Sequence, residues 1–343
     1  MKEKEAEKPE FENKEEDLKP VIEQLRKQIE DSFLTIYNEE DLIGKLNENL
    51  SDIPDEYKSI FNSFIQNILS IVSIAKIPIL MSFERTIGLM YNELYVKEKI
   101  LSLKMILDEQ KISDEERFKL AQTKASEQFN EKIKTKKGNN EFWFHSLKFI
   151  LDCSKSNLSS TDFLKSSKEL INQTTLLTWS ACEVLLRDYF IISLNTNPSK
   201  IEEISKDKNL KSKFDFKSIS TDKLIEYNFD LSKSMGNILI DNFDFSNIDI
   251  IKSIYKLLNN DESLNKLLKS NSLWMLYQRR NLLVHRGGII DKKYIQGTGC
   301  KNDVGEKLYV KTLEFKEYVE IVKDIALQLM IIEKTNQKTM PNT

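Results

Sequence analysis

Of the two histidines in this chain of 343 residues, one stands among groups that handle phosphate. His285 follows Arg279, Arg280, Asn281, Leu282, Leu283 and Val284, and precedes Arg286, with Lys292 and Lys293 shortly after. Across Arg279–Lys293 five basic residues meet one acid, Asp291, although the formal net charge of the chain is −3. Guanidinium groups neutralise phosphate oxygens, and an imidazole exchanges its proton near neutral pH, as general acid–base catalysis needs. RNA brings its own nucleophile, the 2′-hydroxyl, so such a set can cleave RNA without a metal. Mg²⁺ wants several oxygen ligands, which this segment lacks. No metal and no cofactor is therefore expected, and RNA is a better substrate than DNA.

A helix positions these groups usefully. At about 100° per residue, Asn281 and His285 lie about 40° apart and share a face. Arg280 lies about 140° from His285, but its long side chain can swing towards the same groove. Leu282, Leu283 and Val284 are expected to anchor the helix to a core and so hold the polar trio firmly. His285 falls in the last turn before Gly287 and Gly288, where the helix dipole favours imidazolium while Arg280 and Arg286 oppose it.

The composition calls for helices throughout. Only 9 Gly and 6 Pro punctuate a chain that is 40% apolar and 31% charged, which excludes collagen-like, disulfide-scaffold and fully disordered classes. Apolar spacing predicts a helix from Leu18, a second from Pro54 to about Ile77 where Pro78 should end or kink it, and a third over 82–110. Ser113 to Glu116 reads as a capping box opening a polar helix to about Lys134. Residues 134–141, with Gly138 and two Asn, read as a linker, with a domain boundary near 135–140. Beyond it come a long helix over 161–194 and shorter ones over 221–228, 232–240, 247–259 and 261–269. The motif helix spans 271–286, loops or a small β-hairpin fill 294–310, and a closing helix covers 312–333.

The run from Arg280 to His285 has the RxxxxH pattern, with a polar residue directly after the Arg, of the HEPN superfamily, which it resembles. The surroundings are similar too: a long helix carrying Glu183 and Arg187, several short helices, the motif helix and a final helix, over about 145–335. The resemblance implies an all-α fold, a helical bundle of HEPN type over 136–335 with a small loop or β-hairpin insertion after the motif helix. A separate N-terminal helical region over 17–135 precedes it, flanked by tails at 1–16 and 336–343. It further implies a homodimeric, metal-independent endoribonuclease leaving a 2′,3′-cyclic phosphate and a 5′-hydroxyl, in the manner of a toxin or anti-phage defence effector. His285 would activate the 2′-hydroxyl or protonate the leaving 5′-oxygen, Arg280 would neutralise the pentacoordinate phosphate, and Asn281 would orient a reacting group or the histidine. Arg279, Arg286, Lys292 and Lys293 are expected to bind RNA. Glu183 would either pair with Arg187 one turn on or hold the Arg280 guanidinium. Residues 1–135 carry no such resemblance, and the N-terminal helical region is expected to regulate, through a protein partner, a trigger or a dimer contact. Gly287 stands where some family toxins carry a modifiable Tyr, so that form of control is not expected. The alternative is a non-catalytic helical RNA- or protein-binding module.

The rest of the sequence narrows the setting. A pI near 5.8 opposes an overall electrostatic grip on nucleic acid but not a local one. Three cysteines without CxxC spacing (Cys153, Cys182, Cys300) give neither a disulfide frame nor a zinc site, and with a charged N-terminus lacking a signal peptide they fit a reducing cytoplasm. The apolar stretch Ile68–Met81, broken by Lys76 and Pro78, is shorter than the ~20 residues a bilayer needs, so it reads as a buried core helix without membrane contact. His145, among aromatic residues, reads as structural, and Gly297 to Gly299 as a turn, not a P-loop.

Overall fold

Apolar stripes at helical spacing run through most of the chain, and the computed structural model resolves them into helices. It describes residues 18–30, 32–104, 113–155, 160–211, 220–240 and 244–339. The helices are α1 (Leu18–Glu30), α2 (Glu39–Leu50), α3 (Asp55–Ala75), α4 (Ile77–Lys104), α5 (Asp114–Lys134) and α6 (Lys136–Lys155). They continue with α7 (Ser160–Thr196), α8 (Ile201–Lys206), α9 (Lys208–Lys211), α10 (Thr221–Glu226) and α11 (Met235–Ile240). The last are α12 (Ile248–Leu258), α13 (Glu262–Leu268), α14 (Asn271–Arg286), α15 (Lys292–Thr298) and α16 (Thr312–Thr339). Among the described residues there is no strand, only an isolated antiparallel bridge between Ile289 and Lys307. The fold is all-α, as the composition predicts. No single helix among the described residues is long and apolar enough to cross a membrane.

Two compact units divide the chain, each assembled from two segments: Met1–Ile36 with Lys76–Ser167, and Tyr37–Ala75 with Lys168–Thr343. This differs from the contiguous boundary expected near 135–140. The reason lies in what the apolar faces cover. In the second unit Leu42, Phe61, Phe64, Ile68 and Val72 of α2 and α3 join one core with Trp179, Leu186 and Tyr189 of α7 and with the stripe of α16. That stripe, Val319, Val322, Ile325, Ala326, Leu329 and Met330, is fully buried, as its spacing predicts. Lys76 separates α3 from α4 just before Pro78, whose ring cannot continue the preceding helix. Ile79 then belongs to a different core, with Ile22 and Ile29 of α1 and Leu147, Ile150 and Leu151 of α6.

In the first unit the expected linker turns out to be a tight helix–helix corner. Thr135 alone takes extended backbone (φ −75°, ψ 147°), and α6 starts at the next residue. Gly138 is needed there because an added Cβ would sit 1.9 Å from the Lys132 carbonyl oxygen. The glycine serves close approach, not flexibility. The capping box at α5 is present, with Glu116 donating its N–H to Ser113 Oγ at 3.2 Å and its carboxylate accepting from the Ser113 N–H at 3.1 Å. Phe83 of α4 packs on Phe142 and Trp143 of α6 at ring distances of 5.4 and 5.0 Å. His145, on α6, is exposed, with its ring edge-on to Phe144 at 5.4 Å. Along α4, Leu89, Val96, Ile100 and Leu103 are each about half exposed.

Other expectations shift at their edges. The closing helix runs to Thr339, so the tail expected from 336 is helical at its start. The tail over 1–16, part of the polar stretch near 212–219 and the end of the helix expected to reach 110 lie outside the described residues. Of the loops or small β-hairpin expected over 294–310, the first part is instead the short α15, whose last turn holds Gly297 and Thr298 and whose cap is Gly299 (φ 66°), and the remainder is loop with the isolated Ile289–Lys307 bridge. Gly138→Ala is expected to destabilise the first unit by about 1–3 kcal/mol, the usual cost of forcing extra volume into a packed contact. Gly88→Ala, on α4 with nothing within 4 Å of the added Cβ, should instead stabilise by about 0.5–1 kcal/mol. Paired denaturation midpoints measure the opposite signs.

Candidate active site

The motif helix α14 is set by its two ends. Ser270 caps it, its hydroxyl accepting the Leu273 N–H at 3.3 Å. At the other end Gly287 takes left-handed backbone (φ 59°) and donates its N–H to the Leu283 carbonyl at 3.0 Å. Gly288 continues the turn (φ 86°) and donates to the Leu282 carbonyl at 3.2 Å. The helix thus stops at Arg286, leaving His285 and Arg286 in its last turn.

Its inward row is Leu273, Leu276, Arg279 and Leu282. Arg279 was expected on the RNA-binding face, but it is 7% exposed and committed inside the unit. Its Nη2 donates to Glu314 Oε1 at 2.7 Å, and Nη1 donates to the hydroxyl of Tyr294. Burial alone would favour losing the proton, but the Glu314 carboxylate, with Tyr294 and Tyr318, overrides it and raises the guanidinium pKa above its ordinary value. Burial also raises the Tyr294 phenol, against the pull of Arg279. Glu314 is the third residue of α16, and its other oxygen accepts the Lys311 N–H at 3.1 Å. One carboxylate therefore caps α16 and holds α14, while Tyr294 brings in α15.

The next residues face the other way. Arg280 and Asn281 are half-buried, and Arg280 Nη1 donates to Asn281 Oδ1 at 2.9 Å. His285 is exposed one turn further on, and Val284, expected as an anchor, is 53% exposed. Leu282 at 4% does the anchoring, in a small cluster with Ile290 and Tyr294. Arg286 Nε lies 3.5 Å from Asp291 Oδ2, and Asp291 caps α15 by accepting the Tyr294 N–H at 2.7 Å. Lys292 and Lys293 follow that cap, both exposed. Arg286, Lys292 and Lys293 are thus exposed at the end of α14 and the start of α15, with Arg280 half-buried further back along α14.

Glu183 and Arg187 do not join this group. Glu183 accepts the indole N–H of Trp179 at 3.0 Å, and Arg187 pairs with Asp188 at 3.2 Å. Neither the intrahelical Glu183–Arg187 pair nor a Glu183–Arg280 contact forms. The connection between α7 and α14 is aromatic instead, Trp179 against Tyr277 at 5.2 Å. Glu314 and Tyr294, the residues that fix Arg279, carry no local signal in the sequence. The available signal was Arg279 itself, a charge falling in register with Leu273, Leu276 and Leu282.

No known family model, curated protein or solved structure matches this chain. Its chemistry rests on the side chains themselves. Arg279→Met strands a carboxylate that is a third exposed (33%). It is expected to lower unfolding free energy by about 2–4 kcal/mol, somewhat less than for a fully buried pair. Adding Glu314→Leu should recover much of that loss, which a double-mutant cycle by urea unfolding measures.

Proposed function

We propose that the chain is a metal-independent endoribonuclease of HEPN type, acting as a homodimer on cellular RNA in the manner of a toxin or anti-phage effector. The observation that carries this reading is the Arg280–Asn281 contact with His285 exposed one turn away, on a helix anchored by buried neighbours. In the reaction, an imidazole takes the 2′-hydroxyl proton and the 2′-oxygen attacks phosphorus. The bond to the 5′-oxygen breaks, and that oxygen takes a proton from an imidazolium. Arg280 offsets the charge on the phosphorane, with Asn281 holding the guanidinium in place. Arg286, Lys292 and Lys293 would track the backbone phosphates.

One His285 per chain supports a dimer, in which a second copy provides the other proton-transfer group. Val284 and Ile289, 53% and 40% exposed beside the motif, give apolar area for such a contact. Control through a protein partner of the first unit belongs to the same proposal, supported by the exposed stripe of α4. The three unpaired thiols fit a reducing cytoplasm.

The test uses full-length wild type and His285→Ala with total RNA and tRNA in EDTA. Cyclic phosphate ends from wild type alone are expected, with the variant slower by about 10²–10⁴-fold, the usual worth of a general acid or base. Equal cleavage by both would remove His285 from the site. RNA binding without cleavage, lost on reversing Arg286, Lys292 and Lys293 but kept in His285→Ala, would establish the binding module instead.

A further inference from the structure

A cavity of about 830 Å³ opens in the second unit where the start of α3, the end of α7 and the end of α16 meet. Such a volume suits a small-molecule ligand. Glu333 lines it, 5% exposed and 19 residues beyond Glu314, hence about 28 Å along α16 from the Arg279 pair. A carboxylate this deep is costly unless a cation meets it. Glu333 accepts a short hydrogen bond from the Tyr189 hydroxyl, but no Lys or Arg among the described residues forms an ion pair with it. Glu98, buried to a similar degree at 7% exposed, differs: it accepts from Gln128 at 2.8 Å beside a void of about 10 Å³.

The other groups around Glu333 offer acceptors too. Asn259 spends its Nδ2 on the Tyr189 oxygen at 2.9 Å, and its buried Oδ1 has no partner. The Tyr57 ring, 4% exposed and stacked obliquely on Tyr189 at 5.3 Å, gives an aromatic wall. At the mouth Asp52 is matched by Lys334 at 2.5 Å and Asp55 by Lys58 at 2.7 Å, while Glu56 adds a negative charge with no ion-pair partner among the described residues. Lys200 is the cavity's own half-buried cation, and burial lowers its pKa although Glu333 opposes this.

We infer that this cavity binds a small organic cation bearing N–H donors, an alkylammonium or guanidinium compound, with Glu333 as its counter-charge, Asn259 Oδ1 as a second acceptor and the Tyr57 ring against its stem. The site is independent of the nuclease reading, because it shares no residue with it. Lys200 competes for the same carboxylate, so removing it should favour the ligand.

Isothermal titration of the full chain with spermidine and with agmatine, at matched ionic strength, tests the site. At least one is expected to bind saturably at one per chain, whereas tetramethylammonium, charged but without N–H, neither binds nor competes. Glu333→Gln should weaken binding by about tenfold or more, the loss expected for a charge-assisted hydrogen bond. Lys200→Met should tighten it. The opposite signs separate a ligand site from a merely structural role, since damage to the fold would weaken both. Absence of saturable binding by either amine, undiminished binding by Glu333→Gln, or loss of binding in Lys200→Met overturns the proposal.

Discussion

A buried guanidinium must keep its carboxylate, and much of the second unit's C-terminal half is arranged around that need. Arg279 sits in the apolar row of α14 and cannot reach water without unpacking the helix. Glu314 meets it from the first turn of α16, where the same carboxylate also satisfies a backbone N–H that the helix start leaves open. Tyr294 completes the set from α15. Three helices are thereby fixed in rotation by one polar cluster, a demand that apolar side chains alone make less sharply. Buried polar networks specify a single arrangement because any alternative strands a charge.

That constraint explains how two adjacent arginines come to differ so much. Turned by one residue on α14, Arg280 leaves the core row and meets Asn281 near the surface, while the left-handed turn at Gly287 ends the helix just past His285. The exposed row spends little of its own capacity on the fold: Arg280 donates to Asn281, and Arg286 lies 3.5 Å from Asp291. Groups that must meet a phosphate have to be both fixed and unspent. In the proposed enzyme the end of α14, with two basic residues in its last turn and two more opening α15, would serve that need.

Much of this was legible in the residues. The all-helical class, the extents of α5, α7, α12, α13 and α14, the capping box at Ser113 and the buried stripe of α16 follow from periodicity and end signals. The division into two discontinuous units did not, because periodicity reveals that α3 has an apolar face but not which core that face covers. Gly138 was misread for a related reason: a glycine demanded by a neighbouring carbonyl looks the same in sequence as one that loosens a linker. On the candidate site, local spacing placed Asn281 and His285 on one surface row, whereas Arg279 looked like one more surface charge. Its register with Leu276 and Leu282 marked it as inward, just as the register of Glu333 with Ala326, Leu329 and Met330 marks a second buried charge on α16. Long-range partners such as Glu314, 35 residues away, carry no local signal.

In the proposed enzyme the neighbouring arginines have separate roles, Arg279 holding the fold and Arg280 facing the substrate. The most direct measurement is the rate of RNA cleavage in EDTA by Arg280→Gln, taken with its thermal melt against wild type. The melt is expected to match wild type to within about 0.5 kcal/mol, as for a substitution outside the core, while cleavage falls by about 10²-fold or more. A variant that melts early, or one that cleaves RNA as fast as wild type, would contradict that division.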